Sequence, residues 1–123
     1  MIIAITDIDD PLTSLIDDDP NRPNLLIEER LGSNKEILVW TEDENPLAVL
    51  CITYQDFVPA NENELISSDT PNIAVFYTIW SYKPGAGKKL LVNAKEYIKN
   101  NRPEINHFVT LSPQTDIARK FRS

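Results

Sequence analysis

The chain has 123 residues, 41% of them hydrophobic and 25% charged, with a net charge of -7. That length suits one domain over residues 1–123 with a single core, and no apolar run approaches the ~20 residues a membrane-spanning helix needs. The net charge hides an asymmetry: residues 1–70 carry sixteen Asp/Glu against three Lys/Arg, whereas residues 71–123 carry nine Lys/Arg against three Asp/Glu.

The acidic half would repel a phosphate backbone, and no interleaving of aromatic and basic residues offers a stacking platform, so nucleic acid is not an expected partner. The opening MIIAITDIDD lacks the basic start and long apolar core of a signal peptide. A cytoplasmic protein without membrane attachment is expected. The single Cys51 rules out an intramolecular disulfide, and its place in the apolar run Leu47 to Ile52 points to core packing.

In chain order, Ile2 to Thr6 reads as a strand that runs into Asp7-Ile8-Asp9-Asp10. A strand followed by D-x-D-D is similar to the first motif of haloacid-dehalogenase-type phosphatases, but Pro11 departs from that motif and no later acidic pair completes a metal site. The plainer reading is a helix start, with Asp9 or Asp10 as N-cap and Pro11 at the first helical position. Pro11 to Asp17 then forms a short helix, and Asp17, Asp18 and Asp19 are expected as solvated loop charge, since their spacing suits neither Ca²⁺ nor Zn²⁺. No metal is expected. Asn24 is placed to cap a second short helix, Leu25 to Leu31, closed by Gly32.

Glu36 to Thr41 and Leu47 to Tyr54 read as strands of a hairpin joined by Glu42-Asp43-Glu44-Asn45-Pro46. Phe57 to Pro71 is a polar connection in which Leu65 and Ile66 are the candidate anchors. Ile73 to Ile79 is apolar on both alternating faces, the pattern of a central strand covered on each side. Tyr82-Lys83-Pro84-Gly85-Ala86-Gly87 breaks that strand, and from Ala86 the period becomes helical, with Leu90, Leu91, Ala94, Tyr97 and Ile98 on one face. Asn106 to Leu111 is a further strand, parallel to Ile73–Ile79 because a helix connects them. Thr115 to Arg122 is predicted as a last helix.

The strand, glycine turn and helix between Asn72 and Asn101 form the candidate site. The first turn of a helix has backbone N–H groups without intrahelical partners and a partial positive charge. Gly85 and Gly87 permit close approach of a ligand, and Lys83, Lys88 and Lys89 add cationic charge, so a pyrophosphate is the expected anion. Gly87-Lys88 does not complete a Walker A loop, because Tyr82 and Lys89 stand at its glycine and Ser/Thr positions; Gly85-x-Gly87 lacks the third glycine of a dinucleotide fingerprint.

This order of elements resembles the acyl-CoA-binding core of GNAT acyltransferases, whose signature is Q/R-x-x-G-x-G/A; Tyr82 departs from it at the Gln/Arg position. AVFYTIWSYKPGAG followed by HFVTLSP is similar to the C-terminal GNAT-fold domain of malonyl-CoA decarboxylases. The resemblance implies an α/β (α+β) fold with a mixed, mostly antiparallel sheet whose parallel fourth and fifth strands splay apart. It also implies that the chain stops before the family's final hairpin, which leaves completion by a partner strand, as in a homodimer, open. Acetyl-CoA or another acyl-CoA would bind at Ile79, Trp80, Ser81, Lys83, Pro84, Gly85, Ala86, Gly87, Lys88 and Ser112. The resemblance gives Ser112, in the TLSP segment, as the catalytic residue; the family's histidine lies farther downstream without a counterpart in this sequence, and His107 reads as a strand-edge or packing residue. Acyl transfer to an amine is the leading activity; a CoA-binding module without catalysis and a malonyl-CoA decarboxylase-like activity are the alternatives.

Overall fold

The computed structural model describes residues 1–112 and 118–120. Strands β1 (Ile2–Ile5), β2 (Lys35–Glu42), β3 (Asn45–Gln55), β4 (Ile73–Ser81), β5 (His107–Leu111) and β6 (Ala118–Lys120) lie in one sheet in sequence order. Every neighbouring pair is antiparallel except β4 and β5, which are parallel. Helix α2 (Ala86–Asn101) supplies the crossover between those two strands.

Both faces of the central strands are covered, as their unbroken apolar sequence requires. On one face Leu90, Ala94 and Ile98 of α2, all fully buried, pack with Leu38, Leu50, Ile52, Ala74 and Phe76. Burial of each such Leu or Ile is worth about 1.5–3 kcal/mol, so α2 is held by its apolar stripe. On the other face Ile37, Val39, Val49, Cys51, Val75 and Tyr77 meet Ile16 and the partly buried Leu25 and Ile27. Those last three come from the 3₁₀ helix Pro11–Asp18 and from α1 (Ile27–Arg30) and its approach.

The local signals mostly act as read. Asp10 caps the 3₁₀ helix by accepting the Leu12 N–H at 2.8 Å, with Pro11 first in the helix. The second helix is shorter than expected: Leu26 is its N-cap, not Asn24, and the Leu26 N–H is satisfied by the Glu29 carboxylate at 3.3 Å. The β2–β3 connection is tighter than the five-residue link read from sequence. Glu42 pairs with Asn45, leaving Asp43 (φ 52°) and Glu44 (φ 67°) as a two-residue turn. Left-handed backbone at both positions matches the strand twist, and a glutamate there costs about 1 kcal/mol.

The expected helix Thr115 to Arg122 is corrected within the described part: Ala118–Lys120 is a strand antiparallel to β5. The outer edge of β5 presents unpaired backbone groups that a short extended segment satisfies at once, whereas a two-turn helix must first overcome nucleation. The remaining positions of that expected helix lie outside the described residues.

Candidate functional site

β4 and β5 begin as an ordinary parallel ladder, Ile73 opposite His107, and the register ends at Phe76 opposite Thr110. Beyond it β4 continues for five residues, Tyr77 to Ser81, without a β5 partner. A bulge starts the divergence. Against β3, Cys51 pairs with Thr78 and Ile52 with Phe76, so Tyr77 is an extra residue on β4. Such an insertion bends the strand and increases its local twist.

The divergence leaves a cavity of about 150 Å³ lined by Phe76, Tyr77 and Ile79 of β4, Thr110 to Ser112 after the ladder, Leu91 of α2, and Asn21. The start of α2 adjoins it. A methyl group at Gly87 would lie 3.9 Å from Ile79 Cδ1, which lines the cavity, and 3.9 Å from Ser81 Oγ. That is ordinary contact, so nothing in the protein itself demands glycine at this position. Gly85, at φ 86°, is the N-cap and does need its freedom from a Cβ. No side chain caps the helix, its first intrahelical bond is Lys89 N–H to Gly85 O at 3.2 Å, and the Ala86 N–H is used by Lys83 O at 3.1 Å. The amides of Gly87 and Lys88 therefore precede the helical ladder.

Among the residues expected at the site, Ile79 and Ser112 line the gap, and Ser81, Gly85, Ala86, Gly87 and Lys88 surround the helix start. Lys83 and Pro84 are exposed in the turn. The Trp80 side chain is not brought into the gap: it belongs to the core on the opposite sheet face, and its indole N–H donates to the Tyr82 hydroxyl at 3.1 Å. Tyr82 in turn donates to Asp18 at 2.7 Å, tying the glycine turn to the acidic N-terminal loop. His107 is exposed at the first position of β5, and its four-residue separation from Leu111 amounts to roughly 13 Å of strand.

The N-terminal loop takes a larger part than the sequence indicated. Asp19 was expected in solvent; it is 4% exposed and paired with the fully buried Arg30 at 2.7 Å. Asp19 also accepts from the Thr78 hydroxyl at 2.9 Å, on the bulged stretch of β4. Arg30 further donates to the carbonyls of Arg22 and Leu25 and contacts Cys51 Sγ at 3.6 Å. Burial pushes the Cys51 thiol up to about 11 against the pull of the neighbouring guanidinium, so it stays protonated and inert, as its core position suggested. Tyr77, beside Cys51, is likewise held well above the usual phenol range, first by burial.

The loop reaches the gap directly. Asn21 Nδ2 donates to Ile79 O at 2.9 Å and to Thr78 Oγ1 at 3.3 Å. Arg22, 3% exposed, donates from Nε to Tyr77 O at 2.7 Å and from Nη2 to Leu111 O at 3.3 Å. Its Nη1 pairs with Glu62 at 3.2 Å. These partners of Arg22 lie between 40 and 89 positions away in sequence; the helical crossover placed Tyr77 and Leu111 on neighbouring strands, but nothing in the sequence placed Arg22 between them. No group of three His, Cys, Asp or Glu among the described residues is placed to hold a metal ion.

Among solved structures the chain is similar to malonyl-CoA decarboxylase from Cupriavidus metallidurans, with a TM-score of 0.70 and 23% identity over 91% of this chain. It is also similar to a transcriptional regulator from Bacillus halodurans C-125, with a TM-score of 0.50 and 16% identity over 89% of this chain and 80% of that one. The fold is GNAT-like. This GNAT-like chain corresponds to 30% of the length of the decarboxylase. Neither a family model nor a curated protein sequence matches it significantly. No helix among the described residues is long and apolar enough to cross a membrane.

Proposed function

We propose that the chain binds acetyl-CoA or another acyl-CoA along the β4–β5 gap and transfers the acyl group to a small amine. The observation that carries this reading is the end of the parallel ladder at Phe76–Thr110 beside an uncapped helix start. A cavity of about 150 Å³ suits a short acyl thioester, whereas whole drug-sized ligands need roughly 300 Å³ or more. The pyrophosphate then falls to the amides of Gly87 and Lys88, with Lys83, Lys88 and Lys89 as its counter-charges. Two lysines in the first turn oppose the helix dipole, an arrangement that an anionic ligand makes favourable.

The chemistry rests on placement. Among the described residues the gap lining holds hydroxyls (Tyr77, Thr78, Thr110, Ser112) and amides and no carboxylate or histidine, so in this reading an amine that arrives unprotonated, or that loses its proton to water, needs no base from them. Orientation of the two reactants in a shared gap is a source of acceleration independent of a protein base. Sixteen acidic residues in positions 1–70 favour a cationic acceptor on the N-terminal side. Ser112 at the mouth of the gap favours a second reading, decarboxylation of malonyl-CoA, in which its hydroxyl would meet the malonyl carboxylate.

Calorimetric titration of CoA, acetyl-CoA and malonyl-CoA into the wild type and into Gly87→Glu tests the site. A carboxylate in the first turn complements the helix dipole, so the variant should fold while placing bulk and negative charge at the pyrophosphate position. Micromolar binding abolished by the substitution is the expected result, and an amine screen and a CO₂ assay on malonyl-CoA then separate transfer, decarboxylation and binding alone. Absence of binding to all three ligands would overturn the proposal.

A further inference from the structure

We infer that Arg22 is a positioning residue, a strut that keeps β4 and β5 apart at the first rung beyond their ladder. The last pair is Phe76–Thr110, and the next residues on the two strands are Tyr77 and Leu111. Arg22 donates to the backbone oxygens of these two residues, at 2.7 and 3.3 Å. Both oxygens are taken up by the guanidinium, so neither is left to accept an amide of the opposite strand and carry the ladder one rung further. A guanidinium, with five donors in a planar fork and no acceptor, serves both at once. The gap is thus held by a side chain as well as by the bulge.

The strut is itself fixed. Its backbone N–H donates to Asp19 Oδ1 at 3.2 Å, its carbonyl accepts from Arg30 at 2.7 Å, and its Nη1 meets Glu62 at 3.2 Å. Arg30 and Asp19 are buried together, and Asp19 holds Thr78 of the same bulged stretch. The preceding Asn21, by donating to Ile79 O, defines how far along β4 the opening runs before the loop covers it. Lysine cannot replace Arg22, because a single ammonium lacks the fork that spans two strands.

The consequence for ligand binding rests on the acyl-CoA reading above, but the strut itself does not, and the test separates them. In Arg22→Met, which keeps apolar volume and donates nothing, the strands should approach and pair. The amides of Tyr77 to Ile79, Leu111 and Ser112 are then expected to exchange about tenfold more slowly or better, a sign of added local protection. In Arg22→Ala, ethylguanidinium should restore the wild-type exchange pattern and ethylammonium should not; Arg22→Lys should behave like Arg22→Met. Acetyl-CoA affinity should fall about tenfold or more in Arg22→Met, and in Arg22→Ala it should return with ethylguanidinium. Unchanged or faster exchange at these amides in Arg22→Met would overturn the strut and leave Arg22 as an anchor of the N-terminal loop. Wild-type protein that binds no CoA ligand would overturn the acyl-CoA reading alone, since the exchange measurements would still decide the strut.

Discussion

Asp19 and Arg30 form the most consequential pair at the scale of single residues. Both side chains are essentially inaccessible, at 0% and 1% exposure, and their oxygen and nitrogen lie 2.7 Å apart. Desolvating two charges costs several kcal/mol, which their attraction offsets only when the other donors and acceptors are satisfied. Here they are: Asp19 also accepts from Thr78 and from two backbone amides, and Arg30 from its remaining nitrogens reaches two carbonyls. Removing one partner leaves the other buried and unpaired. Asp19→Ala is expected to lose about 3–5 kcal/mol in urea unfolding, and combining it with Arg30→Met should recover much of that loss. A double mutant as unstable as the sum of its parts would mean that the two residues act independently, in conflict with their contact. Neither residue could be singled out from its neighbours in sequence, where Asp17-Asp18-Asp19 looks like one run of solvated charge; Asp17 and Asp18 are exposed as expected, and only the fold distinguishes the third.

Among the elements, those with strong periodicity were legible. The apolar alternation of β3 and β4 and the 3.6-residue stripe of α2 announced a covered sheet and a helix packed upon it, because burial is what those patterns encode. The glycine turn was legible for the same local reason. The Tyr77 bulge, the Asn21–Arg22 wedge and the β6 strand were not, since each depends on a partner far away or on an unfilled strand edge. Helix α2 shows how a local misfit can point to function. Its first turn contains Lys88 and Lys89 and no acidic residue, while a basic Lys99 suits its last turn. Lys89 is compensated by Glu42 at 3.3 Å; Lys88 is exposed without a described ion pair. Replacing Lys88 with glutamate should therefore stabilise the ligand-free protein by about 0.3–1 kcal/mol through the helix dipole. On the proposed acyl-CoA reading the same substitution should weaken acetyl-CoA binding, because it reverses a charge beside the position proposed for the pyrophosphate. Thermal melting and calorimetry on one sample read both signs, and a loss of stability together with unchanged affinity would remove the helix start from the site.

Over the whole molecule, the same division of charge sets two opposing responses to salt. The acidic N-terminal half supplies β1 to β3 and the helical face opposite α2, while the basic half supplies α2 and the glycine turn. With sixteen acidic against three basic side chains in residues 1–70, like charges in a small domain repel each other in the folded state more than in the expanded chain. Screening relieves that repulsion, whereas it weakens attraction between the lysines of the glycine turn and a pyrophosphate. Raising salt from about 0.02 to about 0.3 M shortens the Debye length from roughly 20 Å to less than 8 Å. The melting temperature of the free protein should rise over that range while the dissociation constant for acetyl-CoA increases. The buried Asp19–Arg30 pair is shielded from solvent ions and should contribute little to either trend, so the Asp19→Ala, Arg30→Met variant should show the same salt slope as the wild type. If melting temperature and affinity instead moved together with salt, stability would be governed by ion pairs between the two halves, such as Lys89–Glu42, more than by repulsion within the acidic one.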